Sequence, residues 1–330
     1  MFEHTSGTFQ AANSKDRIYF QTSFSLPRKQ IRSEQLHLVL LHGLFENHHH
    51  YTAFRNYLMQ KIPCSLLITM IDLRGHGQSS GPRGYIKNLD EYALDLIFFL
   101  NNFEKIFKKH QIPLHCFSEF PLQTLLMGHG LGANISLQSV SDLKTMISTS
   151  ISGVILANPL LCFRDNFITA LLKKCLSSMA FNLPHPLAYL QISRDFLFAK
   201  RTTHFDALAI NAVNLSLLTQ LFSISRNSTR QLYDLKFTNA FSKLFLLAGK
   251  DQYVDNYYAK KILAPKQRLN DNTLFYYPEK QHEFLQLHGK ESVYNDLFLW
   301  LQKKFILSGQ FKSTNQLLKK NLSSVKAGNS

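Results

Sequence analysis

Four short, largely apolar runs, Leu36–Leu41, Ser65–Ile71, Gly153–Ala157 and Lys243–Ala248, each stop abruptly at His42-Gly43, Asp72, Asn158-Pro159 and Gly249. Runs of this length without polar alternation suit strands covered on both faces. Stretches with helical spacing lie between them, at 51–60 and over Leu89–His110. The second carries Asp90 and Glu91 in its first turn and Lys105, Lys108 and Lys109 near its end, the charge order that a helix macrodipole favours. Buried strands alternating with helices predict an α/β fold with a mostly parallel, doubly wound sheet. Loose alternation over Arg17–Phe24 predicts antiparallel edge strands, while a helix near 256–264, a strand over Asn272–Tyr277 and a helix over 290–306 continue the rhythm.

That rhythm breaks from about residue 160 to 235. Apolar helical stretches, Phe167–Leu176 and Leu208–Phe222, occur there with no strand pattern between them. The expectation is a helical cap inserted above the sheet, within a single domain of residues 1–307. Residues 308–330 are polar and basic, and are expected to be a disordered tail.

The chemistry concentrates at residues 122–140. An apolar strand runs into Gly128-His129-Gly130-Leu131-Gly132, and a helix follows. This is the strand–turn–helix setting of the G-x-S-x-G nucleophile elbow, with glycine at 130 where the pattern has serine. Two further residues stand just beyond strand ends, where open α/β sheets bind ligands. They are Asp251, after Lys243–Ala248, and His282, after Asn272–Tyr277. The order elbow, acid, histidine is the one used by triads of this architecture, in which the acid orients the histidine and the histidine moves the proton. An elbow residue has positive φ, which glycine adopts freely, so Gly130 keeps the turn and lacks the hydroxyl.

Further motifs place the chain by resemblance. Residues 38–47 contain His42-Gly43-Leu44-Phe45-Glu46, and residues 72–85 begin Asp72-Leu73-Arg74-Gly75-His76-Gly77 and continue through Ser79 and Gly81. The first resembles H-G-x-x-E and the second D-x-R-G-H-G-x-S-x-G of the α/β-hydrolase superfamily, specifically its monoacylglycerol lipase and bacterial lysophospholipase (serine aminopeptidase-like) group. Ala248–Asn256 resembles that group's acid loop, and Gln281-His282-Glu283 its histidine loop. The resemblance spans roughly residues 15–305. It implies a capped sheet over an acyl-binding pocket, hydrolysis of acyl-lipid carboxylic esters, and an oxyanion hole formed by the backbone N–H groups of Leu44 and Leu131. It implies neither cofactor nor metal, and an acyl lipid or lysolipid as ligand. His129 takes the position of a histidine packed under the sheet. Ser79, Ser80, Ser118 and Ser136 are hydroxyls near the elbow in sequence, and none is placed to replace the nucleophile. Ester hydrolysis is therefore expected to be impaired, with a non-catalytic lipid- or partner-binding protein as the alternative.

Gly128-x-Gly130-x-x-Ala133 also fits the dinucleotide fingerprint G-x-G-x-x-G/A, which would suit an oxidoreductase. The next strand ends in Asn158-Pro159 without the acid that holds a ribose, which disfavours that alternative. Cys64, Cys116, Cys162 and Cys175 have no C-x-x-C spacing and read as free thiols of a reducing, cytoplasmic compartment. His48-His49-His50 reads as a solvated loop, since consecutive histidines do not converge on one ion. The chain has 37 Lys+Arg against 22 Asp+Glu, a net charge of +15. That excess favours anionic partners. No nucleic-acid motif accompanies it, so peripheral contact with an anionic membrane is the expectation.

Overall fold

The computed structural model describes residues 2–25, 35–113, 122–142, 144–164, 191–193, 206–237, 240–263, 272–287 and 289–307. Its strands are β1 (Glu3–Gln10), β2 (Arg17–Ser25), β3 (Gln35–Leu41), β4 (Ser65–Ile71), β5 (Leu122–His129), β6 (Ile151–Ala157), β7 (Gln191–Ser193), β8 (Ala212–Asn214), β9 (Ser242–Ala248) and β10 (Asn272–Tyr277). The helices are α1 (Thr52–Lys61), α2 (Asp90–Lys109), α3 (Leu131–Val140), α4 (Leu215–Phe237), α5 (Asn256–Leu263) and α6 (Lys290–Leu301).

Eight strands form the central sheet in the order β1-β2-β4-β3-β5-β6-β9-β10. β1 and β2 run antiparallel at one edge, and every pairing from β4 to β10 is parallel. The apolar runs become strands because each has a core on both sides. Leu36, Leu38 and Leu40 of β3 pack with Phe54 and Leu58 of α1 and Val293 and Leu297 of α6. Val39 and Leu41, on the opposite face, join Phe99 of α2 and Leu131 and Ile135 of α3. Side chains alternate faces along a strand, so a two-sided core demands apolar residues at every position.

In the insertion, the structure departs from the helical expectation. β7 and β8 make a separate two-stranded antiparallel sheet, too short to leave an alternating pattern in the sequence. The helix expected from Leu208 begins at Leu215, because the Asn214 side chain accepts the Leu217 N–H at 2.9 Å and caps it there. The expected helix Phe167–Leu176 and the tail 308–330 lie outside the described residues.

The junction of β5 with α3 leaves no space for a side chain at Gly128 or Gly132. A Cβ on Gly132 would lie 2.3 Å from Leu41 O, and one on Gly128 would lie 2.2 Å from Gly132 O. Both neighbours are backbone and cannot rotate aside. Gly132→Ala is therefore expected to destabilise the protein by about 1–3 kcal/mol, the usual range for overpacking. The measurement is the urea midpoint with m unchanged. An unshifted midpoint would show that helix and sheet are less closely apposed.

Candidate active site

β5 ends at His129, and the chain reverses through Gly130 at φ 52° and ψ −117° before α3 begins at Leu131. The Gly130 N–H donates to Ala157 O at 2.9 Å, and its carbonyl accepts the Ala133 N–H at 3.1 Å. The turn is thus tied to β6 and to its own helix. A Cβ at Gly130 would stand 3.2 Å from His282 Nε2 and 3.7 Å from Gly43 Cα. The absent side chain points at the histidine that follows β10.

His282 Nδ1 lies 2.6 Å from Asp251 Oδ2. Oδ2 also accepts from Asn256 Nδ2 at 3.0 Å, while Oδ1 accepts the N–H groups of Tyr253 and Val254 at 2.8 and 2.9 Å. Burial alone would raise the Asp251 pKa, but His282 and the backbone donors hold it below its ordinary value of 3.8. Burial would lower His282; the facing Asp251 carboxylate, with Glu283 and Glu46 further off, outweighs it and pushes His282 up to about 9. Near pH 7 the pair is an imidazolium and a carboxylate.

Two buried asparagines lock this pair to the sheet. Asn158, at the end of β6, sits at φ 43° and donates from Nδ2 to His282 O at 2.8 Å. Its Oδ1 accepts from Ala248 N at 2.8 Å and from Asn256 Nδ2 at 3.0 Å. Asn256 thus joins the Asp251 carboxylate to the residue that holds the His282 backbone. The only signal in the sequence was a polar residue closing an apolar strand. Asn158 also occupies the place where a dinucleotide site would need an acid.

Glu46 is the second anchor. Its Oε2 accepts from Gly43 N at 2.7 Å, Tyr51 OH at 2.5 Å and the His129 ring at 3.1 Å, and its Oε1 accepts from Gln286 Nε2 at 2.6 Å. His129 Nε2 also donates to His282 O at 2.9 Å. The histidine expected to pack under the sheet is therefore a buried polar link between the two loops. Burial would raise the Glu46 pKa, and His129 chiefly keeps it well below its ordinary value. The same carboxylate closes the turn that presents Leu44, where Phe45 has φ 65°. Leu44 thus sits beside Gly43, whose Cα faces Gly130. Leu131 opens α3, where no helical carbonyl accepts its N–H.

The solvated loop expected at His48–His50 is corrected. These residues form a 3₁₀ turn capped by Asn47, and His48 is buried with Nδ1 2.8 Å from Asp72 Oδ2. Burial follows because Asp72 needs partners: it also accepts the His48 and Gln78 N–H groups at 2.8 Å. Arg74 of the same signature is clamped by Glu91 and Asp95 of α2. Ser79 Oγ is committed to Asp72 O at 2.6 Å and Ser80 Oγ to Arg17 N at 2.7 Å, while Ser118 lies outside the described residues. Ser136 is buried within α3. Among the described residues, no cluster of His, Cys, Asp or Glu is placed to hold a metal ion, and no helix is long and apolar enough to cross a membrane.

A family model described as serine aminopeptidase, S33, matches residues 32–286. No curated protein matches the chain. Among solved structures, the monoacylglycerol lipase of Paleococcus ferrophilus is similar at 20% identity and a TM-score of 0.57, covering 87% of this chain and 99% of that one. A soluble variant of the Saccharomyces cerevisiae monoglyceride lipase, in complex with a substrate analogue, is 16% identical with a TM-score of 0.62, covering 91% and 96%. A highly thermostable carboxyl esterase from Bacillus coagulans, in complex with glycerol, is 15% identical with a TM-score of 0.60, covering 91% and 98%. At these identities the structural likeness is one of fold.

The pH dependence of the ion pair follows from its geometry. The His282 contribution to stability is complete below its ordinary value of 6.5 and is lost as pH rises through about 9. The Asp251 contribution is present above 3.8 and is lost as pH falls through its lowered folded value. Histidine NMR titration is expected to show one imidazole titrating near 9, and Asp251→Asn should move that titration down by more than one unit. A His282 titration near 6.5 in the unaltered protein would mean that the pair does not form.

Proposed function

From the premise that this chain belongs to the serine aminopeptidase, S33, family of α/β-hydrolases, we propose that it receives acyl-lipid esters of the monoacylglycerol or lysophospholipid kind and that Gly130 impairs their hydrolysis. One observation carries this reading: Asp251 and His282 converge on a turn that keeps the positive φ of an elbow but has no side chain. An ester carbonyl over Gly130 would receive the N–H groups of Leu44 and Leu131 as an oxyanion hole. In an elbow bearing serine, the hydroxyl would attack, His282 would take its proton and Asp251 would hold the resulting imidazolium. Here only the hydroxyl is lacking, and Ser79 and Ser80 are spent on loop hydrogen bonds. Oxyanion hole and binding alone leave roughly 10³–10⁴-fold over water, far below a full triad. The helical cap, with α4 as its described helix, is assigned the acyl-covering role.

The unaltered protein is expected to remain unlabelled by a fluorophosphonate serine probe and to hydrolyse monoacylglycerol at background rate. Gly130→Ser should bring labelling and measurable hydrolysis that increases as His282 loses its proton. Its Cβ must displace the His282 ring by a few tenths of an ångström, and the positive φ should cost about 1–3 kcal/mol of stability. Labelling of the unaltered chain would show that another serine acts. A folded but inert Gly130→Ser would turn the assignment towards a binding protein.

The net charge of +15 supports peripheral binding to an anionic lipid surface, and α5 offers a face for it. Tyr257 and Tyr258 are 57% and 45% exposed beside exposed Lys260 and Lys261. Tyrosine and lysine suit the membrane interface, with each basic residue near an anionic surface contributing about 1 kcal/mol. Lys260→Ser with Lys261→Ser is expected to weaken flotation with phosphatidylserine vesicles roughly 10- to 30-fold at low salt. An equal loss from Lys105→Ser with Lys108→Ser on α2 would show that net charge alone acts and that α5 is no docking face.

A further inference from the structure

Removing the elbow side chain changes which ligand the site can satisfy. With serine, a hydroxymethyl group would stand between His282 Nε2 and the ligand. With Gly130 no Cβ stands there, and the described atoms nearest to that position are His282 Nε2 at 3.2 Å and Gly43 Cα at 3.7 Å. Among the described residues Nε2 makes no hydrogen bond, whereas Nδ1 is held by Asp251 at 2.6 Å. An ester carbonyl can accept from Leu44 and Leu131, but its second oxygen carries an alkyl group and is a poor partner for an N–H at Nε2. A carboxylate has two equivalent oxygens, one for the backbone donors and one for Nε2. The proton balance is the same whether the ligand arrives ionised at an imidazolium or protonated at a neutral ring, since one proton lies between Nε2 and oxygen in both cases.

The neighbouring acids do not compete for that position. Asp251 is surrounded by His282, Asn256 and the backbone donors, and Glu46 by Gly43, Tyr51, His129 and Gln286. Glu283 accepts from Tyr253 OH at 3.2 Å. We propose that the preferred ligand of the Gly130 site is the carboxylate end of an acyl chain, gripped by His282 Nε2 and the Leu44 and Leu131 N–H groups, with the ester bound more weakly. The inference rests on the acyl-site reading above and assigns the site to retention of a free fatty acid, the chemical class that an ester hydrolase releases.

Calorimetric titration of the full chain with dodecanoate and with methyl dodecanoate, both below their aggregation concentrations, tests it. Dodecanoate should bind about 10- to 100-fold more tightly, the range for one charge-assisted hydrogen bond. The preference should fall sharply in His282→Gln, which keeps a neutral N–H but not the charge. In Gly130→Ser, which is expected to turn the ester over, dodecanoate alone is titrated and should bind more weakly, because the hydroxymethyl group would occupy the oxygen site. Circular dichroism checks that both variants fold. Dodecanoate affinity should be level from about pH 6 to 8 and fall through about 9, where His282 loses its proton. The groups facing that ring are Asp251, Glu46, Glu283, His129 and Tyr253. Equal affinity for acid and ester, or a preference that His282→Gln leaves unchanged, overturns this inference and leaves the acyl-site reading standing. Failure of both ligands to bind overturns both.

Discussion

The first turn of α3 rests on the backbone of β3 and β5, and the separation leaves no room for a Cβ at Gly132 or Gly128. Under that constraint the chain passes from strand to helix through one residue of positive φ, Gly130. The direction of the missing side chain is then set by the sheet. Residues carried by the loops after β9 and β10 meet that direction because all of these strands are parallel and end on the same side. The site is a consequence of how closely one helix approaches one sheet.

Around the turn, buried polar groups do work that apolar packing cannot. Charges taken out of water are costly unless paired and fully hydrogen-bonded. Asp251 and Glu46 both meet that condition through several donors each. The two networks converge on His282 O, held by Asn158 from one side and His129 from the other. Truncating one partner would strand another in a region of low dielectric, so the histidine loop has little freedom to move. His282 is positioned by its own backbone as much as by its ring, which explains how the pair keeps its geometry with no serine to complete it.

The Asp251–His282 pair also sets the electrostatics beside Gly130. A catalytic base must be free of its proton when the reaction begins. Here the Asp251 carboxylate outweighs burial and raises the His282 pKa to about 9, which favours the protonated ring. His282 Nε2 faces the position that a Cβ on residue 130 would take, 3.2 Å away.

Much of this was legible without coordinates. Uninterrupted apolar runs required a sheet covered on both faces, and the strand–turn–helix around Gly130, with Asp251 and His282 at later strand ends, marked where these residues meet. These are local facts: the period of a strand, the φ of a turn, the order of elements. Other features were not local. β7 and β8 are too short to carry a pattern, and the start of α4 depended on one cap at Asn214. That His48 is buried on Asp72, that Asn158 grips His282, and that Glu46 and His129 join two loops came only from tertiary contact between residues 24 to 153 positions apart. The amino-acid sequence by itself determined the sheet, the elbow and the missing hydroxyl, because steric period and backbone conformation are written residue by residue. Which polar side chains are buried and whom they bond was decided by the folded chain alone, because a hydrogen bond's partner is chosen by proximity in space.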